Sequence, residues 1–142
     1  MVIVVLQNYM KRMKTINEKL IKYADEALRE SSDGILKDGK INETYKGYTA
    51  AIGVSIVMIG LRPTLAIYYQ DKTKTKASRK EVIEIIAKML TKQYSDKPIH
   101  DAKDLLNKVF AKSNEELKQL QKDIIDCSIA LKYVVRTYEL VK

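Results

Sequence analysis

Between Tyr45 and Tyr69 the chain reads YKGYTAAIGVSIVMIGLRPTLAIYY, two apolar runs separated by a Gly-Leu-Arg-Pro break in an otherwise lysine-rich protein. Tyr45, Tyr48, Ile52, Ser55 or Ile56, and Ile59 recur at helical spacing. They predict a helix over about residues 42–59. Gly60 is placed to end it with a left-handed backbone, which glycine adopts without steric cost. Pro63 then falls in the first turn of a short second helix, where its missing N–H costs nothing. A bilayer span needs about 20 uninterrupted apolar residues, and Arg62-Pro63 would lie near the centre of any longer span. The segment is therefore expected to be a helical hairpin buried against other helices, with no membrane partner.

The most regular pattern lies at the other end. Leu117, Leu120, Ile124, Cys127, Leu131, Val134, Tyr138 and Val141 step by three and four, which draws one stripe down a long helix. Ser113 and Glu116 form a capping box at its start. Tyr9, Met13, Ile16, Leu20, Tyr23 and Ala27 draw a similar stripe on a first helix over about residues 5–30, the expected neighbour of the last one. Roughly opposite the last helix's seam lie Ile125 and Ile129, bracketed by Lys118, Lys122, Lys132 and Arg136. A helix with two apolar sides is either central in the fold or offers its second side to a partner, and both readings stay open. Ile125 and Ile129 are the candidate protein-interface residues.

Between these ends, Ser78 and Glu81 form a second capping box, opening a helix through Tyr94 with Val82, Ile85, Ile86 and Met89 inward. Asp101 begins a short helix carrying Leu105, Leu106, Val109 and Phe110. Gly39 and the Asp71–Ala77 segment mark loops. With only 5 Gly and 2 Pro there is little material for the many turns of an all-β fold. The expected fold class is all-α: one domain spanning residues 1–142, a compact bundle of about five or six helices.

The chemistry is narrow. One Cys and one His cannot supply a protein zinc site. Cys127 sits on the seam as a small buried hydrophobe, and His100 lies in a linker without a nucleophile motif. No phosphate-cradling or dinucleotide glycine motif is present. Asp101 and Asp104 suit a helix N-terminus better than a metal. The chain is expected to be no enzyme and to need no metal or cofactor. The lone cysteine excludes an internal disulfide and fits a reducing compartment. The run before Leu6 has no preceding positive charge and no cleavage motif, so it is read as the start of the first helix and the location as cytoplasmic.

A net charge of +8 points to an anionic partner, most simply nucleic acid, with a solvated basic surface that serves solubility as the alternative. The candidate RNA-binding side chains are Lys11, Arg12, Lys46, Arg62, Lys72, Lys74, Lys76, Arg79, Lys132 and Arg136, which neutralise phosphates without reading sequence. The short second helix of the hairpin, TLAIYY, offers few polar groups to base edges, which argues against a helix-turn-helix there. The tyrosines Tyr9, Tyr23, Tyr45, Tyr48 and Tyr138 lie on core faces, whereas Tyr69 and Tyr133 are freer.

At Tyr45-Lys46-Gly47-Tyr48, at Ile59-Gly60-Leu61-Arg62-Pro63-Thr64-Leu65-Ala66, and more loosely at Leu131-Lys132-Tyr133-Val134, the chain resembles the small subunit of the type III-B CRISPR RNA-silencing (Cmr) effector complex. The resemblance implies a non-catalytic protein in a ribonucleoprotein, present in several copies that stack on one another. Its implied partners are the other subunits of the complex, copies of itself, and guide and target RNA. In such a machine base pairing reads the sequence, so a subunit that holds backbone and shape needs no base-specific contacts. The residues alone also fit a stand-alone helical adaptor for an acidic partner, or a small DNA-binding regulator.

Overall fold

The computed structural model describes residues 18–31, 34–71 and 77–142. Six helices dominate it: α1 (described from residue 18 to 30), α2 (Thr44–Ile59), α3 (Leu61–Tyr69), α4 (Arg79–Gln93), α5 (Ala102–Ala111) and α6 (Asn114–Val135). Three short strands, β1 (Leu36–Lys37), β2 (Lys40–Asn42) and β3 (Glu139–Val141), form a small sheet in the order β1-β2-β3. The molecule is thus predominantly helical, as its composition foretells. The strands depart from a purely helical expectation.

That departure has two local causes. Asp38 and Gly39 carry positive φ values of 53° and 73°, the backbone that closes a two-residue hairpin between antiparallel strands. Asp-Gly is a strong hairpin signal when apolar residues flank it, as Leu36 and Ile41 do here. At the other end, α6 stops at Val135 and does not run to Val141. Thr137 Oγ1 turns back to donate to the Val134 carbonyl at 2.7 Å, and the chain then enters β3, parallel to β2. The Glu43 N–H donates to the Val141 carbonyl at 2.7 Å, extending that ladder. Tyr138 keeps an inward position and donates its hydroxyl to Asp25 of α1, while Val141 is exposed.

Around the hairpin the sequence reading largely holds. Gly60 serves both α2 and α3: its φ is 99°, its N–H donates to the Ile56 carbonyl at 2.9 Å, and its carbonyl accepts from Thr64 N–H at 3.3 Å. Its ψ of 162° makes it an extended glycine and not the expected left-handed helical one. Helix α3 begins at Leu61, two residues before Pro63, which remains within the tolerated first turn. The side chain of Ser113 accepts from Glu116 N–H at 3.3 Å, and the Glu116 carboxylate accepts from Ser113 N–H at 3.2 Å, completing the capping box of α6. The Ser78–Glu81 box does not form. Asp71, eight residues upstream, accepts from Arg79 N–H at 2.8 Å, and the Ser78 hydroxyl turns to the Asp71 carbonyl at 3.4 Å. The two N–H groups that the box would satisfy go elsewhere: Glu81 N–H donates to the Ser78 backbone carbonyl at 3.1 Å, and Ser78 N–H donates to the Tyr45 hydroxyl at 3.1 Å.

Helix α4 is the inner wall. Beyond the expected Val82, Ile85, Ile86 and Met89, it also buries Ile83, Ala87 and Leu90. Among the fully described elements, α6 packs most extensively on α2. Polar contacts of α1 run instead to α4, through Lys92 to Glu26 and Glu30 at 3.4 and 2.7 Å, and to Tyr138 just beyond α6. Replacing Ser113 with Ala should lower the unfolding free energy by about 1 kcal/mol. A urea melt of the purified protein reads this loss, and an unchanged midpoint would show that the box is redundant.

Candidate functional site

The contact between α2 and α6 is unusually close at Gly53, where a Cβ would stand 3.2 Å from Ser128 Oγ. That hydroxyl is folded back onto its own helix, donating to the Ile125 carbonyl at 2.7 Å. Beside this crossing runs a groove of about 340 Å³, walled by Val54, Val57 and Met58 of α2 and by Ile125, Ile129 and Lys132 of α6. Val54, Val57 and Met58 are 63, 71 and 76% exposed. These three exposed apolar side chains gather on one wall of the groove. On α6 the seam residues Ile124, Cys127 and Leu131 are buried, and Ile125 and Ile129 on its second side are half-buried along one wall of the groove.

The basic side chains fall into three groups. Lys132 borders the groove with its ammonium 5.1 Å from the ring centre of Tyr133, itself 50% exposed. Arg136 follows one turn later on the surface, and Lys46 is exposed on the first turn of α2. These three are free to meet an anion. Arg62 and Arg79 are already engaged. The Arg62 guanidinium donates to the Lys112 carbonyl, at the end of α5, and to Asn114 Oδ1 at 3.0 Å, tying α3 to the α5–α6 turn. Arg79 lies 4.5 Å over the Tyr48 ring and 3.4 Å from Asp71. Lys11, Arg12, Lys72, Lys74 and Lys76 lie outside the described residues. Sequence reading does not anticipate that Val54, Val57 and Met58 are exposed, nor that Lys97, Lys108 and Lys112 converge on a cavity.

Residues 16–138 match the family model of the CRISPR-associated protein Cas_Cmr5. The chain belongs to the Cmr5 family. It is the small subunit of a type III-B CRISPR (Cmr) complex, as the residues around the Gly60 break foretell. An X-ray structure of a CRISPR-associated Cmr5 family protein from Thermus thermophilus superposes with a TM-score of 0.65, covering 87% of this chain and 96% of that one at 16% identity. At that identity the likeness concerns the fold. No curated protein matches the chain significantly.

The polar groups that invite a catalytic reading in this Cmr5-family chain have structural partners. Asp101 caps α5, accepting from Asp104 N–H at 2.8 Å, while Asp104 accepts from His100 N–H at 2.9 Å and pairs with Lys108 at 3.3 Å. That backbone hydrogen bond from His100 holds the Asp104 carboxyl below its usual range. Cys127 is fully buried, and burial pushes its thiol upward, the opposite of the accessible, electropositive setting that a reactive thiolate needs. Among the described residues no group of three or more His, Cys, Asp and Glu is placed to hold a metal, and no helix is long and apolar enough to cross a membrane. In α3 the residues Leu61, Thr64, Leu65 and Tyr68 are buried, which leaves that helix little surface for a DNA groove.

Proposed function

We propose that this Cmr5-family chain is a non-catalytic, cytoplasmic subunit present in more than one copy per complex, with two functional faces. The apolar groove between α2 and α6 receives a neighbouring copy, and the basic side chains beside it hold guide and target RNA by their phosphates. The observation that supports this reading is the junction of the two surfaces at half-buried Lys132, which lines the groove and lies beside the exposed Tyr133 and one turn before the exposed Arg136, while Val134 and Val135 between them turn into the core. Paired RNA presents phosphate and ribose outward and keeps its bases stacked. It has nothing apolar to bury in a groove walled by Val54, Val57, Met58, Ile125 and Ile129, whereas a protein neighbour does.

The double substitution Lys132→Glu/Arg136→Glu tests the RNA face. Binding to single-stranded RNA should weaken at every sequence tested, with the fold intact by circular dichroism. The slope of log affinity against log salt should fall by about 0.7 for each phosphate that is no longer neutralised. Unchanged RNA affinity and unchanged assembly would show that these charges are merely solvated.

A further inference from the structure

A cavity of about 320 Å³ opens between the start of the α4–α5 connection, the end of α5 and the first half of α6. That size is at the small end of ligand sites, roughly 300–1,000 Å³. Its apolar walls are Leu90, Ile99 and Leu120, and Asp123 lines it while only 7% exposed. A buried carboxylate is costly unless its oxygens are hydrogen-bonded. Tyr94 Oη donates to Oδ2 at 2.9 Å and Gln119 Nε2 donates to Oδ1 at 3.0 Å. An ionised carboxylate has about four acceptor sites, so each oxygen keeps one in reserve. Two acceptors side by side on one carboxylate match a ligand that carries two parallel N–H donors.

Arginine and guanine both carry such a pair, and the rim of the cavity separates them. Lys97, Lys108 and Lys112 stand around it. Of these, Lys108 is paired with Asp104 at 3.3 Å. Glu116, the rim's own acid, accepts from the N–H and hydroxyl of Ser113 at 3.2 and 2.9 Å and keeps its negative charge, so the rim sets the ammonium groups of Lys97 and Lys112 against one carboxylate and stays net positive. A guanidinium would approach through ammonium groups that repel it. A guanine is neutral, presents N1–H and the N2 amino group on its Watson–Crick edge, and trails a phosphate that the lysines attract. Proteins that read single-stranded RNA take splayed-out bases by this edge and stack them on aromatic rings, and the Tyr94 ring is 37% exposed beside Asp123.

We propose that this cavity binds a single unstacked guanine nucleotide, its N1–H and N2 amino group on the two Asp123 oxygens and its phosphate on the rim lysines. This goes beyond holding RNA by its backbone and does not depend on how copies meet. The folded, full-length protein is titrated with the 5′-monophosphates of guanosine, inosine, adenosine and uridine, followed by NMR. GMP should bind most tightly, and inosine monophosphate, which lacks the N2 amino group, about ten-fold or more weakly. Asp123→Asn, which exchanges an acceptor for a donor, should remove the preference for guanine. Should that variant fail to fold, Lys97→Ala/Lys112→Ala at the rim should weaken GMP about ten-fold while guanosine itself binds as before.

Oligouridine with and without one central guanosine distinguishes the two sources of the ligand. A gain from the guanosine assigns the site to an RNA base. GMP selectivity without that gain assigns it to free nucleotide, and the guanine site stands. Equal affinity for all four monophosphates overturns the proposal, as does capture of an arginine-bearing peptide in place of GMP. Neither result bears on the Lys132/Arg136 face.

Discussion

Replacing Val57 and Met58 together with Asp should remove the protein from its complex while leaving the isolated chain folded. Both side chains are more than two-thirds exposed, at 71 and 76%. In the free protein the exchange costs a difference in helix propensity, under about 0.7 kcal/mol per residue, and about 0.3–1 kcal/mol per carboxylate against the helix dipole, since both positions lie in the last turn of α2. In an assembled groove the balance reverses. Each missing apolar side chain forfeits about 1.5–3 kcal/mol of burial, and each new carboxylate is dehydrated without a partner at a further cost of several kcal/mol. The combined penalty is on the order of 5 kcal/mol or more, a loss of at least about 10³-fold in association. Native mass spectrometry of the reconstituted complex would read it as missing copies of this subunit, against a free variant that still unfolds cooperatively with its melting point lowered by only several degrees. Normal incorporation would show that this face is idle.

The second large effect is in the core. Leu131 is fully buried on the α6 seam, so Leu131→Ala should destabilise the protein by about 2–5 kcal/mol through reduced burial and the cavity left behind. Its near neighbour Tyr133 is half exposed with Lys132 against its ring, and Tyr133→Ala should stay within about 0.5 kcal/mol of the parent. Urea melts of the two variants, compared at equal slopes, separate seam from surface on one helix. Similar losses at both positions would mean that the stripe does not mark the core.

The stripe on α6 is legible because three-four spacing has one physical cause, a helix buried along one side, and Leu117, Ile124, Cys127, Leu131 and Val134 obey it. The same regularity hides the helix end. Tyr138 continues the helical period and also faces inward from the turn before β3, so periodicity does not register the change at Val135. The partner strand β2 lies about a hundred residues away in sequence, pairing Lys40 with Glu139, and no local pattern announces such a contact. The β1–β2 hairpin is different. Its Asp38-Gly39 signal is local and visible in the sequence, although Gly39 by itself marks no more than a loop.

The groove is half legible. Ile125 and Ile129 stand out because lysines bracket them on a helix whose seam lies elsewhere. Their counterparts on α2 do not, since that helix is apolar on nearly every side and such a helix reads as buried all round. Only the packing of Ile52 and Ile56 inward, with Gly53 against Ser128, leaves Val54, Val57 and Met58 outward. Charge is the least informative signal. Arg62 and Lys132 look alike in sequence, yet one ties α3 to the α5–α6 turn and the other stands free beside the groove.

Hydrogen exchange followed by mass spectrometry, on the free protein and on the reconstituted complex, addresses the assembly face most directly. If the α2–α6 groove receives a neighbour, peptides covering residues 53–59 and 125–132 should exchange more slowly in the complex, and more so than peptides from α4, already buried in the free chain. Protection confined to other surfaces, with these two stretches exchanging as fast in the complex as in the free protein, would contradict it.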